Sequence, residues 1–141
     1  NVKRVRESLM ILLYIKLYSG AKMSQTTSIT SNADLVKSWM RLAGQLATTD
    51  NEDTKDLQML FIEEEFYELL HSYNNSERKN VIKEATDLIW TVYGLLHLMG
   101  VDTDEAFDRL HASNMTKLPF TFKKGKVQKG KNYVPPYLGD L

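Results

Sequence analysis

Thr54-Lys55-Asp56-Leu57-Gln58-Met59-Leu60-Phe61-Ile62-Glu63-Glu64-Glu65-Phe66-Tyr67-Glu68-Leu69-Leu70-His71-Ser72-Tyr73 runs without a proline or a glycine. Its apolar residues recur at helical spacing, with Leu57, Leu60 and Phe61 marking one stripe. Continuing that stripe by three or four residues lands on Glu64 and Glu65, then on Glu68, an E-E-x-x-E pattern. Asn74-Asn75-Ser76 interrupts the helical pattern, and Asn75 or Ser76 is placed to cap a second long helix that continues to about Met99. That helix carries Glu84-Ala85-Thr86-Asp87, an E-x-x-D pattern, and Glu84 falls between Val81 and Leu88 on a face continued by Leu95. A connection of a few residues makes the two helices antiparallel neighbours. Four carboxylates then meet.

Carboxylates inside an apolar stripe need an explanation, because a solvated acidic face lies opposite the stripe. Like charges brought together out of water raise one another's pKa and cost several kcal/mol unless compensated. A hard divalent cation compensates them, and Mg²⁺ characteristically combines protein carboxylates with substrate phosphates. The competing reading is a pair of solvated helix faces, rich in glutamate because glutamate favours helix. Two such clusters on consecutive helices, each in line with core positions, favour the metal.

Two further helices complete an all-α, four-helix expectation. Ser31 or Asn32 caps a first helix over 33–47, with Leu35, Trp39, Leu42 and Leu46 as its apolar positions. Residues 48–53 form a polar link. Gly100 suits the C-terminus of the third helix. Asp102 with Glu105 has the capping-box spacing for a fourth helix reaching about Met115. From Leu118 the character changes to an irregular, lysine-rich tail, in which Phe120-Thr121-Phe122 and Lys126-Val127-Gln128 alternate around Lys124-Gly125 as in a short hairpin.

Composition adds bounds. The chain has 141 residues, which suits one domain with a modest core. Eighteen basic and eighteen acidic side chains cancel, so no global field points to nucleic acid. The absence of cysteine excludes disulfides and thiolate chemistry and is compatible with a reducing cytoplasm. Residues 1–22 differ from the rest, being basic at Lys3, Arg4 and Arg6, then apolar from Leu9 to Tyr18 apart from Lys16. The run is too short to span a bilayer. It reads as an extension outside the fold, against a secretion signal or an added packing helix. Residues 23–32 are a polar leader, 33–117 the helical domain and 118–141 the basic tail.

On Glu64-Glu65-x-x-Glu68, Glu84-x-x-Asp87, Ser113-Asn114-Met115-Thr116-Lys117 and the tail Gly125-Lys126-Val127-Gln128-Lys129-Gly130-Lys131-Asn132-Tyr133-x-Pro135-Pro136, residues 34–137 resemble the small phage and bacterial MazG-like branch of the all-α nucleoside triphosphate pyrophosphohydrolases. The resemblance implies a MazG-like bundle that cleaves a nucleotide between its α and β phosphates with Mg²⁺, releasing a monophosphate and pyrophosphate. It also implies a homodimer or a tetramer of dimers. Mn²⁺ is the natural substitute for Mg²⁺.

The metal ligands on this reading are Glu65, Glu68, Glu84 and Asp87. Glu64 holds a further metal or orients the attacking water, unless it is a plain surface carboxylate. Thr91 and Gly94 continue the Asp87 face, and their small size serves either substrate or close helix packing. Asn114 and Lys117 are placed for phosphate. Lys129 and Tyr133, by the resemblance, are the best of the tail residues. Trp39 and Trp90 either stack on a base or belong to the core. His71, His97 and His111 lack metal-ligand spacing and read as structural or surface residues. Nucleic-acid binding by the tail is unforced, since paired aromatics of a stacking platform are missing. The expected activity is (deoxy)nucleoside triphosphate pyrophosphohydrolysis for pool sanitation or control in the cytoplasm. Its alternatives are phosphoribosyl-ATP pyrophosphohydrolysis and a non-catalytic helical oligomer.

Overall fold

The computed structural model describes residues 30–46 and 51–141. The extension 1–22 and most of the leader 23–32 lie outside the described residues. The four predicted helices are present in the predicted order: α1 Asn32–Leu42, α2 Glu52–Asn74, α3 Arg78–Leu98 and α4 Thr103–Met115. A two-stranded antiparallel hairpin follows, β1 Phe122–Lys123 and β2 Lys126–Val127. The chain is an all-α bundle with this small appendage. None of the described helices is long and apolar enough to cross a membrane.

Local chemistry sets each boundary. Ser31 caps α1 through a full capping box: its Oγ accepts from Asp34 N–H at 3.1 Å, and Asp34 Oδ2 accepts from Ser31 N–H. Asn51 caps α2 by accepting from Asp53 N–H. Asp102 caps α4 by accepting from Glu105 N–H, half of the expected box. Three helices end in the same way. Gly44, Ser76 and Gly100 each take a positive φ. In each case the next residue's N–H reaches back to the carbonyl that closes a Schellman motif: Gln45 to Met40, Glu77 to Ser72 and Val101 to Leu96.

These stops correct two expectations. The first helix ends at Leu42 rather than near Ala47, because Gly44 at φ 74° turns the chain out of the helix. Neither Asn75 nor Ser76 caps α3: Ser76, at φ 57°, is spent on ending α2, and Glu77 becomes an N-cap without a side-chain bond. The tail hairpin turns on Lys124 at φ 49° and Gly125 at φ 75°. Two consecutive left-handed residues match the right-handed twist of a two-residue hairpin. Phe122 pairs with Val127 and Lys123 with Lys126.

Helices α2 and α3 form the main antiparallel pair, and α1 lies across α3. The buried apolar core is small: Ala33, Val36 and Met40 from α1 against Leu98 of α3, flanked by Leu46 and Tyr93. His97 adds a polar tie, donating from Nε2 to the Ala33 carbonyl at 2.8 Å in the interior. Of the expected α1 stripe, Leu42 and Trp39 are exposed, and the buried face is rotated to Ala33, Val36 and Met40. The α2 stripe of Leu57, Leu60 and Phe61 is exposed as well. A single α1 covers only part of the apolar surface that the α2–α3 pair presents.

Candidate metal centre and adjoining cavity

The carboxylates meet at the α2–α3 interface. Glu65 of α2 and Glu84 and Asp87 of α3 bring one oxygen each to within 4.8 Å of one another. Helical geometry does this: Glu84 and Asp87 are three apart on one face, and the antiparallel partner supplies Glu65 opposite. Glu84 is buried, Glu65 and Asp87 are half-buried, and Glu68 is exposed. Burial, then the charges of Asp87 and Glu68, raise the Glu65 carboxyl above its ordinary value of 4.5, and the charge of Lys83 opposes them in part. Glu68 faces Glu84 closely enough to share a hydrogen bond. That contact, with the charge of Glu84, raises Glu68 in turn. Glu64 is exposed, and its charge adds to the rise at Glu68.

These residues fit a hard divalent cation. The donor set is all oxygen, and Glu65 Oε2 is buried without a hydrogen-bond partner. Oxygens around an octahedral Mg²⁺ stand roughly 3 Å apart when adjacent and roughly 4.2 Å apart when opposite, so the carboxylates would draw together on binding.

Lys83 was not singled out from the sequence, yet it sits on the centre. Its Nζ donates to Glu84 Oε2 at 2.8 Å and to Asp87 Oδ2 at 2.9 Å. The signal was available: Lys83 and Asp87 are four apart on a helix, the spacing of a salt bridge.

A cavity of about 210 Å³ adjoins Glu65 and is walled by Trp39, Trp90, Gln45, Gln58 and Gly94. The two indoles meet edge to face with centroids 5.9 Å apart. Trp39 is 44% exposed and Trp90 36%, so neither is a core residue and both are accessible from the cavity. Gln58, also missed, is buried and donates from Nε2 to the Thr91 carbonyl at 2.8 Å, bolting α2 to α3. Gly94 makes room for it, since a Cβ there would lie 2.6 Å from that nitrogen. The Thr91 hydroxyl bonds back to Leu88. Close packing is thus what Gly94 supplies directly.

The remaining predicted residues form a second group. Lys117 Nζ donates to Asn114 Oδ1 at 2.7 Å, and the ammonium groups of Lys117 and Lys129 lie 5.8 and 4.7 Å from the centre of the Tyr133 ring. The tail is strapped to α4. Arg109 pairs with Glu105 and Asp140 and donates to the Tyr137 carbonyl, while Ser113 Oγ donates to the Val134 carbonyl. Among the described residues no hydrogen bond or ion pair joins this group to the carboxylates. His71 and His111 are exposed, and His97 is structural.

No curated protein sequence matches the chain. Residues 45–114 match the family model of phosphoribosyl-ATP pyrophosphohydrolase, a span that contains Glu64, Glu65, Glu68, Glu84, Asp87 and Lys83. Over that segment the chain is similar to the phosphoribosyl-ATP pyrophosphohydrolases, a family within the MazG-like all-α nucleoside triphosphate pyrophosphatase superfamily.

Proposed function

We propose that the protein is a Mg²⁺-dependent pyrophosphohydrolase of the small MazG-like branch. It cleaves a (deoxy)nucleoside triphosphate to the monophosphate and pyrophosphate, for sanitation or control of the cytoplasmic nucleotide pool. The observation that carries this reading is the convergence of Glu65, Glu84 and Asp87 beside a cavity walled by two tryptophans. Bound Mg²⁺, or Mn²⁺ in its place, supplies positive charge to the phosphate oxygens. Glu65, Glu84 and Asp87 hold it, with Glu68 completing the set. Glu64 orients the attacking water. Trp39 and Trp90 flank the base. Lys117 and Lys129 meet phosphate oxygens, steadied by Asn114 and Tyr133.

The uncovered apolar faces support a homodimer or a tetramer. Leu57, Leu60, Phe66, Leu70, Ile82 and Ile89 of the central helix pair are all exposed in the single chain. Apolar side chains left exposed in this number support an interface between copies. A second copy is also the natural route for the Lys117–Tyr133 group to reach a carboxylate centre.

Phosphoribosyl-ATP is the second substrate reading, and the family match fits it as well as the first. The Ser113-Asn114-Met115-Thr116-Lys117 segment and the lysine tail favour the first. One assay separates them: Mg²⁺ with a panel of deoxy- and ribonucleoside triphosphates and phosphoribosyl-ATP, scoring pyrophosphate and orthophosphate separately. Pyrophosphate released from triphosphates and lost in Glu68→Gln supports the proposal. Turnover of phosphoribosyl-ATP alone selects the second reading. Orthophosphate release rejects the cleavage point, and silence on every substrate favours a non-catalytic oligomer.

A further inference from the structure

Among the described residues, Lys83 brings a cation to the centre, and the proposed mechanism gives it no role. Lys83 reaches both α3 carboxylates at once, at 2.8 and 2.9 Å. The Glu84 side chain is only 10% exposed, so its charge requires a close partner. Lys83 itself is 61% exposed and stands on a flexible four-carbon stem, so it can leave without disturbing the helix. Its field reaches past α3, lowering the raised pKa values of Glu65 and Glu68 on α2. In charge terms Lys83 does in part what a divalent cation would do in full. The two compete for the same oxygens, and like charge keeps them apart.

We propose that Lys83 is a displaceable counter-ion: it leaves Glu84 and Asp87 when a divalent cation takes them, and is thereby freed to contact the triphosphate. The inference rests on the metal-centre reading above. It makes phosphate binding conditional on metal binding through one side chain, because the ammonium is held by carboxylates until the ion releases it. A plain surface ion pair at i,i+4 spacing would do neither.

The test uses the full chain and two probes that need no turnover. Mg²⁺ alone is titrated by thermal shift, and inorganic tripolyphosphate is titrated calorimetrically at saturating Mg²⁺. Lys83→Met is compared with the parent, with Lys83→Arg and with Lys79→Met, which removes the same charge from an exposed lysine one turn away. Lys83→Met is expected to lower the melting temperature without metal, to reach its half-maximal Mg²⁺ shift at several-fold lower concentration, and to bind tripolyphosphate several-fold more weakly. Lys83→Arg should keep near-parental phosphate binding. An unchanged or higher Mg²⁺ midpoint, or an equal change in Lys79→Met, overturns displacement. Unchanged tripolyphosphate affinity overturns the phosphate contact. A parent protein without any Mg²⁺ shift rejects the metal centre itself and this inference with it, whereas a normal parental shift with an unaltered variant rejects Lys83 alone.

Discussion

Gly94 and Gln58 show how one residue's size fixes a helix crossing. An alanine in place of Gly94 gains roughly 1 kcal/mol of helix propensity, but its Cβ meets the Gln58 amide nitrogen at 2.6 Å. Relieving that contact breaks the bond to the Thr91 carbonyl, a loss of about 1 kcal/mol, and adds overpacking of roughly 1–3 kcal/mol. Gly94→Ala should therefore destabilise by about 1–3 kcal/mol in urea unfolding. In a Gln58→Ala background the same change should become neutral or stabilising, a coupling that a double-mutant cycle reads directly.

The carboxylates carry their own pH signature. Glu65 and Glu68 are raised above 4.5 in the folded chain, so between 4.5 and their folded values the native state binds more protons than the unfolded one. Their contribution to stability is present below 4.5 and lost as pH rises through the folded values. Metal-free protein should melt at lower temperature across that interval relative to a Glu65→Gln, Glu68→Gln double variant. The increment from Mg²⁺ should grow over the same interval, since the ion needs the ionised forms. A Mg²⁺ increment independent of pH would contradict this assignment.

At the scale of elements, the tail is held by polar contacts rather than by a core. Arg109 gathers Glu105, Asp140 and the Tyr137 carbonyl, and Ser113 and Thr116 bond around Val134. Arg109→Ala should release the last residues while leaving the α2–α3 pair intact. Limited proteolysis should cut the lysine-rich segment 123–131 faster, with little change in helical circular dichroism. A parental cleavage rate would mean that Ser113 and Thr116 suffice to hold the tail. The loosened Lys129–Tyr133 pair should weaken substrate binding, seen as a raised KM with kcat less affected.

For the whole molecule, the decisive quantity is the apolar surface one chain leaves uncovered. Among the described residues the buried apolar ones, Ala33, Val36, Met40 and Leu98, are a slender core. Covering the α2 and α3 faces with another copy would bury side chains worth roughly 1.5–3 kcal/mol each. The mass in solution should be a multiple of 16.2 kDa. Leu60→Glu, at a position 61% exposed in the single chain, should dissociate the assembly and lower its melting temperature, as light scattering and a thermal melt would show. A monomeric parent would leave those faces without an explanation.

The order of helices, the capping of α1 and α4, the stop at Gly100 and the Lys124-Gly125 hairpin were legible because each depends on residues a few positions apart. The two acidic motifs were legible for the same reason, and helical periodicity brought Glu84 and Asp87 to one face. Which apolar stripe is buried was not legible. Periodicity marks a face as apolar without saying whether its cover is another helix of the chain or another copy, and so Leu57, Leu60 and Trp39 stand outside the core of the single chain. Nor could local pattern distinguish a caps-next-helix role for Ser76 from an ends-last-helix role, because that depends on the direction the chain must take into α3. Lys83 on the carboxylates, Gln58 across the interface and the cavity between the tryptophans are decided by the α2–α3 register and the lie of α1. Those are set by side-chain packing between segments distant in sequence, where the geometry of contact, and not the order of residues, determines what meets.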